Sequence, residues 1–433
     1  MKYQRYPTYK DSGVKWIGEI PEDWVVTKLK FISFISADYG VNIRADNYID
    51  KGVRFIRITD INEDGSLIPE GVFIREDLSK GKILERGDLL FARSGSVGTS
   101  LLFAFADSQK YSFAGYLVRF RLKNRYSPSF VYLFSQSKLF KDQIKMNSIE
   151  TTIENFNGDK YSNLKISLPD TKIQENIVSS LNMIFSHINS LILKFSKMIE
   201  LLNEKRQAII TNAVTKGLDP NVQIKDSGIE WIGEIPEDWK LKRLKYVVKL
   251  VNEKCEQGAT QIALENIESW SGKYIFTIGE FKGEGIRFQS GDILFGKLRP
   301  YLAKVYLAGF SGAAVGDFFV LRSYSDVEPI FLFNWLIHKE FINIVNSATY
   351  GAKMPRVDWR FMGELLVTIP PKRDQIKISD NINAKTSQID SLITKQRKMI
   401  ELLKEYKTSL ITQAVTGKID VRGIAISTDS NSV

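Results

Sequence analysis

The sequence is written twice, and that duplication constrains the fold more than any other feature. Asp11-Ser-Gly-Val-Lys-Trp-Ile-Gly-Glu-Ile-Pro-Glu-Asp-Trp24 returns as Asp226-Ser-Gly-Ile-Glu-Trp-Ile-Gly-Glu-Ile-Pro-Glu-Asp-Trp239, changed only at Val14/Ile229 and Lys15/Glu230. Gly87-Asp-Leu-Leu-Phe91 returns as Gly291-Asp-Ile-Leu-Phe295. A longer segment, residues 171–219, returns as residues 372–420. Its closest stretches are Lys197-Met-Ile-Glu-Leu-Leu202 against Lys398-Met-Ile-Glu-Leu-Leu403, and Ala213-Val-Thr215 against Ala414-Val-Thr416. Each half is therefore a tryptophan motif, a variable block and a shared long segment. The variable blocks, roughly residues 30–163 and 245–363, barely resemble each other.

The shared long segments have helical periodicity. Ile177, Leu181, Ile184, Ile188, Leu191, Phe195, Met198 and Leu202 recur at alternating spacings of four and three, a heptad seam. The second copy gives Ile378, Ile382, Lys385, Ile389, Leu392, Gln396, Met399 and Leu403, where Lys385 and Gln396 are polar seam positions that fix register or lie near an end. No proline interrupts either run, and Gly217 and Gly417 stand where a helix stops. Residues 170–217 and 372–417 are expected to form helices about 60–65 Å long at roughly 1.5 Å per residue. Two such helices either pack on each other, the simpler arrangement, or each pack on its own domain.

The blocks between them read as mixed α/β. In the first, residues 53–58, 89–92, 101–105 and 116–122 carry strand patterns and residues 129–145 a helical one; in the second, strands are expected at 292–295, 303–307 and 318–321 and a helix at 329–345. The expected order is a first block to residue 165, the first long helix, a second block over residues 218–366, the second long helix, and a C-terminal tail over 418–433. The 433 residues, 43% hydrophobic and 25% charged, are those of a folded chain rather than a disordered one. One cysteine, Cys255, excludes an internal disulfide framework, and two histidines, His187 and His338, argue against a histidine-rich metal site. No apolar run approaches the roughly 20 residues of a membrane span, so a cytoplasmic location and no membrane partner are expected. The formal charge of +10 points to a polyanion.

Two similar frames carrying dissimilar inserts suit a bipartite reader of duplex DNA, with two different half-sites and therefore a split, asymmetric target. The repeated frame presents one surface twice, so a partner protein could dock in two copies. Candidate DNA contacts come after the Gly-Asp motifs. In the first block Arg93, Ser94 and Ser96 enter a glycine-relaxed loop, and in the second Lys297, Arg299 and Tyr301 occupy the matching place, stiffened by Pro300. The first loop could equally be an ordinary polar turn, whereas the second reads as a DNA contact in preference to one. Lys353 and Arg356 form another basic loop, with Thr151, Thr152 and Asn155 in the corresponding stretch of the first block. Arg54 and Arg57 flank a strand and read as DNA contacts or as a solvated strand face. Trp16, Trp24, Trp231 and Trp239 belong to the shared frame, which argues for packing or a partner surface over base stacking.

The tryptophan motifs, Gly87-Asp-Leu-Leu-Phe91, Gly291-Asp-Ile-Leu-Phe-Gly-Lys-Leu-Arg-Pro-Tyr301, Ile369-Pro-Pro-Lys-Arg-Asp-Gln375 and the Ala-Val-Thr helix ends resemble, in this order and twice over, the specificity subunit of type I restriction–modification systems. The resemblance covers nearly the whole chain. It departs from the family pattern before the first helix, where only Pro169-Asp170 and Gln174 stand for the usual Pro-Pro and Glu-Gln. It implies two target-recognition domains and an antiparallel coiled coil with pseudo-twofold repetition. It further implies double-stranded DNA as ligand, and two methyltransferase subunits and restriction subunits as partners. S-adenosylmethionine would then be bound by the methyltransferases and ATP with magnesium by the restriction subunits, leaving this chain non-catalytic and without a cofactor. Without partners, the chain could self-associate through its empty frames. The sequence holds no Asn/Asp-Pro-Pro-Tyr/Phe segment and no Gly-x-x-x-x-Gly-Lys-Ser/Thr loop. Its nearest nuclease-like pattern is Asp292 with Lys297. The rival readings are a coiled-coil scaffold and a self-contained DNA nuclease or methyltransferase.

Overall fold

The computed structural model describes residues 3–62, 64–105, 108–147, 155–255, 260–277, 285–351 and 353–422. The chain folds as two units, Met1–Lys194 with Met399–Val433, and Phe195–Lys398. Each long helix contributes one end to each unit.

In the first unit, the tryptophan motif opens with a hairpin of Tyr9–Asp11 and Glu19–Pro21, and Val25–Lys28 pairs antiparallel with Lys165–Leu168. Next comes a four-stranded antiparallel sheet in the order Ser33–Tyr39, Leu117–Leu122, Leu89–Ala92, Ser100–Leu102. Leu89, Leu90, Phe91 and Ala92 are buried on both faces, which is why they read as an unbroken apolar run rather than an alternating one. The second unit repeats the order: a hairpin of Ile224–Asp226 and Glu234–Pro236, the pair Lys240–Arg243 with Leu366–Ile369, and a sheet ordered Val248–Val251, Phe318–Ser323, Ile293–Gly296, Val305–Leu307.

The inserts diverge in their smaller sheets. Val53–Ile56 lies between Val72–Ile74 and Tyr111–Phe113, with the last pairing parallel. The second unit keeps the parallel pair, as Gln261–Ile262 with Gly312–Val315, but adds Gly285–Phe288 on the other side of the later strand.

Each helix expected in a variable block is two helices. Pro128–Gln136 and Lys138–Asn147 are broken at Ser137, and Pro329–Ile337 and Lys339–Ser347 at His338; both breaking residues are extended and cap the next helix. Phe341 N donates to His338 Nε2, so the ring's proton lies on Nδ1, which donates to Trp335 O at 2.5 Å. Full burial pushes the His338 pKa down to about 4. With the folded value below the ordinary 6.5, the unfolded chain takes up this proton first, so the stability is complete above about pH 6.5 and is lost as pH falls toward 4. At pH 5 this residue is expected to cost the second unit about 2 kcal/mol. Thermal melts at pH 7 and pH 5 should show a steeper acid loss in wild type than in His338→Asn, whose amide can keep the cap; equal losses would refute this.

The long helices span Thr171–Lys216 and Lys372–Val415. In the first unit Ile177, Leu181, Phe185 and Ile188 share a core with Leu410, Ile411, Ala414 and Val415; in the second, Ile210, Ala213 and Val214 share one with Ile378 and Ile382. The start of each helix thus meets the end of the other, and the two pack together antiparallel. The seam differs from the heptad expectation at alternate positions. Leu191, Met198, Leu392 and Met399 are exposed, and the adjoining residues Ile192, Ile199, Ile393 and Ile400 turn inward instead. Lys385 is exposed as well, with Thr386 buried in its place. Ile177, Leu181, Ile188, Ile378, Ile382 and Ile389 are buried, and Leu202 and Leu403 half-buried.

Gly217 and Gly417 end the helices at φ +78° and +72°, the left-handed conformation glycine adopts without strain. A Cβ at Gly417 would lie 2.3 Å from Pro21, and one at Gly217 would lie 3.2 Å from Trp239. The tryptophan motif therefore packs on a helix terminus in each unit. Trp24 and Trp239 are buried, and Trp16 and Trp231 half-buried, Trp231 against Trp335, His338 and Phe341. The start of the expected tail belongs to this packing: Ile419 and Val421 are buried in the first core, and Asp420 N donates to Gln4 O. His187 is exposed and Cys255 half-buried as a free thiol.

Candidate nucleic-acid interface

Both Gly-Asp motifs have a structural role. Asp292 is buried, accepts two hydrogen bonds from Arg322 at 2.8 Å each, and caps Gln289 N at 2.9 Å. Asp88 does the same with Arg121, at 2.7 and 2.9 Å, and with Glu85 N. The Asp292 carboxylate is thus committed to Arg322, and Lys297 points its ammonium over the Phe319 ring at 5.7 Å, so the two do not form a nuclease pair. Among the described residues no group of three or more His, Cys, Asp or Glu could hold a metal ion.

Gln174 and Gln375 are a second shared device. Gln174 accepts from Ser127 N and donates to Pro169 O; Gln375 accepts from Glu328 N and donates to Asp326 O and Pro370 O. Each ties the start of a long helix to the start of a block helix. The first half thus keeps this tie despite lacking the second proline.

The motif strand leads into the candidate loop the same way in both units. Arg93 N donates to Tyr116 O and Phe156 N to Arg93 O; Lys297 N donates to Asp317 O and Val357 N to Lys297 O. Arg93 and Lys297 therefore occupy one position on a common scaffold. Beyond that position the two loops diverge. The first loop turns through Gly95 and Gly98 and bridges Ser94 to Asn155. Arg93 is half-buried with its guanidinium 5.2 Å over Tyr39, Ser94 is half-buried and Ser96 exposed. Thr151 and Thr152 lie outside the described residues.

The second loop is stiffer. Arg299 adopts φ +49° before the short turn Pro300–Leu302, and Arg299 N donates to Pro355 O at 2.7 Å. Leu298 bridges to Arg356, which also exchanges two backbone bonds with Tyr350. The two basic segments of the second block therefore form one surface. Arg299, Tyr301 and Lys353 are exposed on it, and no hydrogen bond or ion pair holds the Arg299 guanidinium or the Lys353 ammonium among the described residues. Arg356 is partly spent on Asp317, with nitrogen–oxygen distances of 3.1 and 2.9 Å. Tyr350 and Met354 are exposed beside Lys353, and Tyr116 beside Arg93. Sequence reasoning passed over these, although aromatic side chains interleaved with basic loops were the available signal.

Arg54 does not belong to this surface. It is 3% exposed, and its guanidinium donates to Asp60 at 2.9 Å and to Phe55 O and Glu70 O at 2.8 Å each. Arg57, one-third exposed, chelates the same Asp60 and lies over Tyr48. Burial pushes the Asp60 carboxyl up, but the bonds from Arg57 and Arg54 outweigh it and hold the pKa below the usual range. The Arg-Phe-Ile-Arg pattern is therefore the wall of an internal ion-pair network, and strand alternation alone could not reveal the carboxylate between the two arginines.

Among the described residues no helix is long and apolar enough to cross a membrane. The type I restriction modification DNA specificity domain matches residues 21–201. The chain is 25% identical over 442 residues to the type I restriction enzyme MjaVIII specificity subunit of Methanocaldococcus jannaschii, covering 96% of this chain and 98% of that one. It is 22% identical to the type I restriction enzyme EcoDI specificity subunit of Escherichia coli over 67% of this chain and 70% of that protein. A solved chain from work on complex assembly and conformational transition of the type I R-M system matches at TM-score 0.66 and 14% identity, over 93% of this chain and 99% of that one. In its duplicated frame, its paired long helices and its sequence over most of its length, the chain is similar to type I restriction–modification specificity subunits.

Proposed function

We propose that the chain is a type I restriction–modification specificity subunit that reads a split, asymmetric duplex target, one half-site per variable block, without catalysing a reaction itself. One observation carries this reading. Both units hold the candidate loop by identical backbone bonds, yet Arg93-Ser-Gly-Ser stands in one and Lys297-Leu-Arg-Pro-Tyr in the other. A common scaffold presenting different side chains is what two different half-sites require. The contact set is Arg93, Ser94 and Ser96 in the first block, and Lys297, Arg299, Tyr301, Lys353 and, more weakly, Arg356 in the second. Arg57 remains a peripheral phosphate contact.

The frame would hold two methyltransferase subunits. The best-repeated helical stretch leaves Met198 and Leu201 exposed in one copy and Met399 and Leu402 in the other, a duplicated apolar stripe that favours one partner bound twice, or self-association in its absence. S-adenosylmethionine would reside on those subunits, and ATP with magnesium on restriction subunits, in a cytoplasmic complex.

Base-modification sequencing of host DNA, with and without this gene, tests the reading. Deletion should abolish methylation at one split, asymmetric motif; unchanged methylation, with the partner subunits expressed, would overturn it.

A further inference from the structure

We propose that Arg206, on the first long helix, is a positioning residue for the DNA-reading loop of the second block, and that the connection runs through Trp270 and Ala303. The proposal rests on the reading above, in which residues 297–301 meet DNA. All the groups involved lie in the second unit.

A continuous set of hydrogen bonds joins helix to loop. Arg206 Nη1 donates to Trp270 O at 2.8 Å, Trp270 N donates to Ala303 O at 3.2 Å, and Ala303 N donates to Pro300 O at 2.8 Å. Leu302 N then closes the turn onto Arg299 O at 2.9 Å, with Tyr301 at its tip. Arg206 thus stands three bonds from the turn that carries Arg299 and Tyr301.

Backbone strain lies along this path and nowhere else in the unit among the described residues that are not glycine. Trp270, Arg299 and Ala303 have φ of +63°, +49° and +46°, a left-handed conformation that strains a residue with a side chain. Such residues persist only where their surroundings over-determine them. The Arg206 bond is one of the restraints that hold Trp270 in place, so removing it lets strain relax toward the loop.

The ties between this segment and the helices are electrostatic. Arg206 is 8% exposed and approaches Asp390 at 3.3 Å, Lys273 pairs with Asp390 at 2.9 Å, and Arg397 pairs with Glu268 at 3.2 Å. They surround a cavity of about 640 Å³, lined also by Gln207 and Ile393. Trp270 packs half-buried at the edge of the second core, and the Arg206 guanidinium is the donor that reaches its carbonyl from the helix. The first unit is built differently. Lys407 and Asn189 stand at the positions of Arg206 and Asp390, 3.4 Å apart, and the matching turns both bend at a glycine, Gly65 and Gly272, but among the described residues the first has no side-chain-bearing residue at positive φ corresponding to Trp270.

The effect is therefore confined to one half-site. In cells expressing Arg206→Met with its partner subunits, methylation at sites carrying one wrong base in the second block's half-site should rise about 10-fold relative to the cognate site. Discrimination at the other half-site should stay at the wild-type level. Arg206→Lys, which restores a cationic donor, should recover most of the loss. Should Arg206→Met fail to accumulate, Asp390→Asn supplies the second variant, with a smaller relaxation at the same half-site. Equal loss of methylation at all sites, equal relaxation of both half-sites, or unchanged discrimination in a folded variant would each overturn the relay. A wild-type chain that directs no split motif would overturn the functional reading itself, and the relay with it.

Discussion

Asp292→Ala is expected to destabilise the second unit by about 3–4 kcal/mol, lowering its melting transition by several degrees. The alanine removes three hydrogen bonds at once, two of them charge-assisted from Arg322 and one from Gln289 N. Arg322 is 28% exposed, so water recovers part of its charge and the loss stays toward the lower end for a severed buried pair. Asp292→Asn keeps an acceptor for Gln289 N and should fall between alanine and wild type. Calorimetry of the full chain tests this, and the change should appear in one transition only, because Asp88 and Arg121 form the corresponding pair in the other unit. A melting curve within about 1 °C of wild type would show that the motif's aspartate is dispensable to the fold.

That aspartate shows where sequence reading succeeds and where it stops. The repetition of Gly-Asp-Leu-Leu-Phe located two equivalent strands without saying what the carboxylate does, because Arg121 and Arg322 lie on neighbouring strands 33 and 30 positions away. Folding of the turn after the strand likewise brings Asp60 between Arg54 and Arg57, a placement that strand alternation does not encode. Periodicity found both long helices, whose observed ends lie within two residues of the expected ones. It misassigned the inner face at alternate steps. Leu and Met at 191, 198, 392 and 399 satisfy a heptad as well as the isoleucines after them, and a helix of 3.6 residues per turn drifts across a seam of 3.5. Only the partner's packing decides which residue turns inward. The candidate loops were legible as positions after a repeated motif. Their pairing with residues 155–156 and 355–357 was not, since those backbone bonds join segments about 60 residues apart.

The division between frame and loop also explains why the two halves tolerate such different inserts. The bonds from Asp88 and Asp292, Gln174 and Gln375, and the glycine ends of the helices all lie outside the loop tips. A loop can therefore change its side chains, or its conformation from the glycine turn at Gly95 to the strained turn at Arg299, without disturbing the anchors beneath it.

The combined substitution Lys297→Ala, Arg299→Ala, Lys353→Ala should weaken binding of the cognate duplex by about 100- to 1000-fold at moderate salt. The figure derives from about 1–3 kcal/mol for each cationic group removed, reduced because exposed charges are screened. Arg299 and Lys353 contribute most, being exposed and uncommitted, whereas Arg356 is partly neutralised by Asp317 and its removal alone should matter less. Removing one phosphate-neutralising cation also lowers the slope of log affinity against log salt by about 0.9, so the triple variant should lose about two to three units of slope. Fluorescence anisotropy with the assembled subunits, between about 50 and 200 mM salt, reads both quantities. Arg54→Ala provides the contrast. It opens a buried ion-pair network, so it should lower the melting temperature of the first unit and leave the salt slope at its wild-type value. A triple variant with unchanged slope would place the DNA on another face of the second unit, and an Arg54 variant with reduced slope would return that residue to the contact surface.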